Sequence, residues 1–240
     1  MKNVIPKLSF LVLLLLLMFV STETASSAFT LFQESFESGV PPAGWTVVDN
    51  EGTGVEWTTI AGSGEDGNFT NGSGEAACVS SDKFGQEDFD TELRTPALDF
   101  TGLTGVKLIT LRFTANYQNF AGRDFFDVDV STDGGTSWTN IMSWNEDHGG
   151  FRATPGEDVS LSISALVGGQ NNVVIRFHYY DPNDADWDWY VQVDDLLITA
   201  VSIPIVPAMS QWGMIIFMAL LGMGAICYLR RREVHKNTRS

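Results

Sequence analysis

The chain has 240 residues, with 30 Asp plus Glu against 14 Lys plus Arg and a net charge of −16. So acidic a surface repels nucleic acid and anionic lipid, and it suits divalent cations. Two cysteines, Cys78 in the middle of the chain and Cys227 in an apolar stretch near its end, exclude a disulfide-stapled framework.

In chain order, Lys2 and Lys7 precede an apolar run over residues 11–20, and the small residues Ser26-Ser27-Ala28 follow. A basic start, a short apolar core and a small-residue exit predict a secretory signal peptide over 1–28. Cleavage is expected after Ala28, with Ala25 the alternative. The run is about ten residues, too short to span a bilayer.

Residues 29–200 form one domain's worth of chain. Over 29–203 there are 28 acidic residues against seven basic, a net of −21. Short runs of alternating apolar residues recur there with Gly, Asn and Asp turns between them, and no stretch has helical periodicity. They predict strands near 30–36, 45–48, 55–60, 76–80, 93–98, 106–116, 125–131, 137–144, 159–163, 173–180 and 189–198. Many short antiparallel strands imply an all-β fold, a two-sheet jelly-roll sandwich.

One hairpin is specified in detail. Ser131-Thr132-Asp133-Gly134-Gly135-Thr136-Ser137-Trp138 fits the S-x-D-x-G-x-x-W pattern of an Asp box. The glycines allow positive φ in the turn, and Asp133 bonds its own backbone. Sialidases carry such boxes as structural hairpins away from their chemistry, and the same role is expected here.

Two strands place carboxylates on an apolar face. Phe32, Glu34 and Phe36 alternate together, as do Asp194, Leu196 and Ile198, with Asp195 facing the other way. A buried carboxylate without a partner protonates or finds a cation, and a hard oxygen-ligated ion such as Ca2+ suits it. A second acidic group, Asp181, Asp184, Asp186 and Asp188, precedes Trp189 but lacks the glycine and closing Glu of an EF-hand loop. It is expected to be a solvated loop.

Catalytic signals are few. The exported part has two histidines, His148 in Glu146-Asp147-His148 and His178 beside Tyr180 in a strand, where it is expected to be packed or paired. No nucleophile elbow, zincin helix motif, phosphate loop or cysteine pair occurs, so the chain is not expected to be an enzyme. Paired carboxylates at glycosidase spacing are the remaining hydrolase route.

The C-terminal part begins with a linker and motif over 201–213. Residues 214–229 carry no charge, and Arg230-Arg231-Arg232 follow. Sixteen helical residues measure roughly 24 Å, short but workable for a transmembrane helix, with Trp212 at the interface and the basic tail 230–240 in the cytoplasm.

Four stretches in order carry a family resemblance. Glu34-Ser35-Phe36-Glu37 with Pro41-Pro42-Ala43-Gly44-Trp45 resembles the opening of cleaved-adhesin, choice-of-anchor J and related MAM domains. Thr95-Pro96-Ala97-Leu98-Asp99, the segment from Asp127 to Gly135, and the closing Trp189-Tyr190-Val191-Gln192-Val193-Asp194-Asp195-Leu196 are similar to later family segments. The resemblance implies a jelly roll with structural calcium where the first and last strands meet. Its ligands on this chain are then Glu34, Glu37, Asp194 and Asp195, with Asp82 a further acidic position. It implies an adhesive or accessory module in contact with a surface glycan or matrix protein. The rival reading is a carbohydrate-binding module in which Trp57, Trp144, Trp187 and Trp189 form a row, with Trp187 and Trp189 as the ligand-binding pair.

Pro207, Ser210, Trp212 and Gly213, followed by an apolar span and three arginines, resemble the IPTL-type C-terminal sorting signal, with Ala208-Met209 in place of Thr-Leu. That resemblance implies an exosortase-type processing enzyme of Gram-negative bacteria as a partner, and a surface or extracellular destination.

Overall fold

The computed structural model describes residues 27–103, 108–182, 187–202 and 211–237. The chain divides into two units, one of them Ser26–Ile203 and the other made of both chain ends.

Ser26–Ile203 is a sandwich of two antiparallel sheets. The first has the order β1 (Ser27–Glu34), β10 (Tyr190–Ser202), β5 (Leu108–Gln118), β8 (Glu157–Ser162). A further strand, β3 (Ala77–Ser80), also pairs with β10. The second sheet has the order β2 (Thr46–Asp49), β4 (Asp90–Arg94), β9 (Val174–Tyr180), β6 (Phe125–Ser131), β7 (Thr139–Trp144). The short helices α1 (Ile60–Ser63) and α2 (Ser164–Val167) and a 3-10 turn (Thr101–Leu103) lie in the connections.

Alternation drives the packing. In β9, Ile175, Phe177 and Tyr179 are buried while Arg176, His178 and Tyr180 are only half-buried. Phe113 of the first sheet meets Phe177 of the second edge-on at 5.2 Å. Trp57, Tyr117 and Phe126 complete the aromatic centre of the core. Emptying one such position, as in Phe177→Ala, costs about 3–5 kcal/mol.

Ten of the eleven expected strands are present. Residues 55–60 are not a strand. Thr58 makes one isolated bridge to Cys78, and Thr59 then caps α1 by accepting the Gly62 amide at 3.0 Å. The apolar run there exists because Val55 and Trp57 turn into the core. Val106 lies outside the described residues. The Asp-box hairpin joins β6 to β7: Asp133 Oδ1 accepts the amides of Thr136 and Ser137 at 3.1 and 2.9 Å. Gly134 and Gly135 take φ of 74° and 90°, where a side chain is strained. Trp138 lies beneath the guanidinium groups of Arg94 and Arg176.

Ser27 and Ala28 pair with Ser202 and Val201. β1 thus includes the last two residues of the expected signal peptide, and cleavage after Ala25 leaves it whole. Residues 1–26 lie outside the described residues, as do Asp184, Asp186, Pro207 and Ser210.

In the other unit the described part is a helix, α3 (Gln211–Asn237), which contains Trp212 and Gly213. Ile215, Ile216, Met218, Leu220, Leu221 and Ile226 are exposed along it. Among the described residues no helix is long and apolar enough to cross a membrane.

Candidate functional site

Two strands share one edge of β10 end to end. β3 pairs with Tyr190 to Val193, and β1 pairs with Leu196 to Ser202. Asp194 and Asp195 fall at the junction, where the register of β10 against β5 also slips. Asp195 takes φ of 50° and its side chain is exposed, while Asp194 is fully buried.

The Asp194 carboxylate accepts Asn68 Nδ2 at 2.7 Å on Oδ2 and the Asp195 amide at 2.7 Å on Oδ1. Burial raises its pKa to about 6; the two hydrogen bonds oppose the rise, and the charges of Asp195 and Glu37 add to it. Glu34 Oε1 accepts the Phe36 amide at 2.8 Å, and Glu37 Oε1 accepts the Glu75 amide at 3.1 Å. Two glycines let the 68–75 loop reach both acids. A Cβ at Gly72 would stand 2.1 Å from Asp194 Oδ2, and one at Gly74 2.1 Å from Glu37 Oε1.

Among the described residues no arginine or lysine pairs with Glu34, Glu37, Asp194 or Asp195. Asp194 is the buried member of this cation-poor set, Glu34 is half-buried and Glu37 is exposed, and such oxygens fit a hard divalent ion. The side chains alone do not close on one point: no three of their carboxylates come within 4.8 Å of one another. An ion here therefore needs backbone carbonyl oxygens as well.

Asp82 does not join this set. It lies beyond the far end of β3, where Arg152 bonds it at 2.6 Å and bonds the buried Glu65 at 2.8 Å. Sequence reasoning missed Arg152, although a lone cation between Phe151 and the acidic loops was a signal. Its guanidinium lies over Phe151 at 5.0 Å and over Trp189 at 5.9 Å.

Around it an aromatic cluster faces solvent. Phe120, Phe151 and Trp187 are 38 %, 49 % and 54 % exposed. Trp189 packs against Phe120 and Phe151, and Trp187 Nε1 donates to the Asp82 carbonyl at 3.2 Å. Trp57 is buried, and Trp144 stacks between Tyr117 and His148, so neither belongs to an exposed row. The row reduces to Trp187 and Trp189.

Both histidines of the sandwich have side-chain partners. His148 stacks on Trp144 at 3.7 Å. His178 Nε2 bonds Asp90 at 2.8 Å and its ring stacks on Tyr180.

The chain is thus an antiparallel two-sheet sandwich with an acidic strand junction and an aromatic end. Residues 29–162 match the family model for the Cleaved Adhesin Domain, and the chain belongs to that family. Hemagglutinin A of Porphyromonas gingivalis is 35 % identical over 100 residues, 40 % of this chain and 4 % of the relative. The same protein of strain W83 is 33 % identical over 105 residues, covering 42 % and 5 %. The chain thus spans a small part of those relatives' length. Among solved structures, the K3 cleaved adhesin domain of Lys-gingipain from Porphyromonas gingivalis W83 has a TM-score of 0.52 at 23 % identity, covering 72 % of this chain and 99 % of that one. The K1 domain of the same protein gives 0.51 at 20 %, covering 72 % and 97 %. These likenesses concern the fold.

Proposed function

We propose that the chain is a surface-displayed, non-catalytic adhesive module whose sandwich is fastened by calcium and whose aromatic end meets an extracellular protein or glycan. The observation that carries the ligand face is the cluster of Phe120, Phe151, Trp187 and Trp189 around Arg152. Large aromatic side chains with an arginine are the residue types that dominate interface energetics. A sugar ring stacking on the exposed Trp187 is the second reading, favoured by that ring's exposure. A binding screen of the full chain against glycans and matrix proteins tests both. Trp187→Ala and Phe151→Ala are expected to abolish the signal. A wild-type signal that survives both substitutions places the ligand elsewhere.

The calcium of this reading sits at the β1/β3/β10 junction, with Glu34, Glu37 and Asp194 as its acids, Asp195 beside them and Asp82 excluded. The family membership and the desolvated Asp194 support it.

The C-terminal part is read as a sorting tail for an exosortase-type enzyme, with Pro207, Ser210, Trp212 and Gly213 as its motif and membrane contact through 214–229. The uncharged stretch and the arginines after it support this. Mass spectrometry of surface-extracted protein is expected to show a chain that has lost 214–229. An intact tail on the mature protein refutes processing.

A further inference from the structure

The outer face of the second sheet carries a histidine among carboxylates, away from the strand junction and the aromatic end. Register sets three cross-strand rows on it: Arg94, Arg176 and Asp129; Glu92, His178 and Asp127; Asp90, Tyr180 and Phe125. The first row is an ion-pair network that reaches into the second. Arg176 bonds Glu92 at 2.7 Å and Asp129 at 2.8 Å, and Arg94 also holds Glu92. These bonds satisfy Glu92 and Asp129, both almost fully buried.

His178 and Asp127 are placed differently. A ring nitrogen of His178 and carboxylate oxygens of Asp127 and Asp129 all lie within 4.8 Å of one another, and the same holds for His178 with Asp90 and Glu92. Asp127 Oδ2 accepts the Tyr180 hydroxyl at 3.1 Å. Its Oδ1 is buried and receives no hydrogen bond among the described residues. A buried acceptor left this way is costly, and native structures hold few of them. A groove lined by Asp88, Asp90, Asp127, His178 and Asp181, and also by Arg176, opens on this face.

We propose that this face is a metal site distinct from the calcium junction, taking a divalent transition-metal ion of the zinc type through His178 and Asp127, with Asp129 beside them. The imidazole and the orphaned oxygen mark the site, rather than acidity alone. Imidazole with carboxylate suits zinc, whereas calcium takes oxygen ligands. His178 Nε2 bonds Asp90, the arrangement by which a carboxylate orients a metal-binding imidazole, and in this proposal Nδ1 goes to the ion. Ligand atoms at about 2.1 Å from a tetrahedral zinc ion stand about 3.4 Å apart, against an observed spread of up to 4.8 Å that is shared between the two atoms of each pair. The observed spread therefore closes with side-chain adjustments of under about 1 Å. The two sites sort metals by ligand: all oxygen at the strand junction, nitrogen plus oxygen on the sheet face.

Isothermal titration of the full chain with zinc, in an excess of calcium that fills oxygen-only sites, tests this. One zinc ion per chain is expected to bind. His178→Ala and Asp127→Asn should each weaken it by at least about tenfold, the low end of what even a supporting partner contributes at metal sites. Asp194→Asn should leave zinc binding unchanged. Both replaced side chains lie on an outer face, and circular dichroism checks that the variants fold. Cobalt(II) in place of zinc gives a visible spectrum that His178→Ala should erase. Absence of stoichiometric zinc binding under calcium, or equal affinity in His178→Ala, overturns the proposal, as does loss of zinc on Asp194→Asn.

Discussion

Gly72 lies so close to Asp194 that a methyl group on residue 72 would overlap the carboxylate, with 2.1 Å between Cβ and Oδ2. The 68–75 loop can therefore cover the acid only while residue 72 lacks a side chain. Gly72→Ala should push the loop off the junction and destabilise the sandwich by about 1–3 kcal/mol, the usual effect of overpacking. At roughly 2–4 °C per kcal/mol, melting should fall by several degrees. The calcium response should shrink with it. A variant that melts like the wild type and keeps the same calcium shift refutes this account of the loop.

Asp194 also sets a pH dependence. Its folded pKa, about 6, is raised above the ordinary carboxylate value by burial. Without a cation, the stability tied to this group is complete below about pH 4 and is lost as pH rises through 6. Calcium bound at the junction, as proposed, would favour the charged form and remove that loss. Saturating calcium at a hundredfold excess over Kd should stabilise the fold by about 2.7 kcal/mol. The melting rise, roughly 5–10 °C, should be full at pH 7.5, small at pH 5, and reversed by EDTA. Asp194→Asn should abolish it. An equal shift at both pH values, or in the variant, would show that the ion binds elsewhere.

Arg176 joins two buried acids, Glu92 and Asp129. Burial tends to raise the Glu92 pKa, but the bond from Arg94 and the charge of Arg176 outweigh it and hold the group below its ordinary value. Its contribution is therefore present at neutral pH and fades as the solution is acidified through the folded pKa. Arg176→Ala strands buried charge, a change that costs about 3–5 kcal/mol. Arg94 and Asn140 still serve the two acids, so the lower end is expected. The urea midpoint should fall accordingly, and an unchanged midpoint counts against the network.

Cys78 is fully buried and receives a hydrogen bond from the Ser63 hydroxyl at 2.9 Å. Burial pushes its thiol up to about 12, so almost no thiolate exists at neutral pH. In a Cys227→Ser chain, a maleimide should fail to label the folded protein and should label it in urea. The chain should also migrate alike on reducing and non-reducing gels. Prompt labelling without denaturant would contradict a packed thiol.

The alternation that builds the sheets is written in the sequence, so β9 and β10 are legible with their inward faces. The Asp box is legible because its bonds run between residues at most four apart. Residues 55–60 mislead because apolar content marks burial as readily as pairing, and Trp57 is buried from a loop. Asp194 announces itself by its neighbours Leu196 and Ile198. What covers it does not: Asn68 and Gly72 are more than 120 positions away, and only folding brings them there. Asp82 fails for the same reason, since its partner Arg152 arrives from a different loop. The face formed by Glu92, His178 and Asp127 needs the order β4-β9-β6, which no single strand encodes.

β10 has a mechanical consequence. Its final residues lie beside the first residues of β1, Ser202 against Ser27, so both ends of the sandwich leave from one side. The aromatic cluster gathers at its opposite end, next to Tyr190, roughly 40 Å away at about 3.3 Å per residue. A load between a ligand held there and a C-terminal tether runs along the strand. The share that enters through Phe120, just past the end of β5, must shear the backbone bonds between β5 and β10 together. A load applied between the two chain ends opens β1 from β10 one bond at a time. Under the proposed reading, the module holds when pulled between ligand and tail and yields when pulled from both termini.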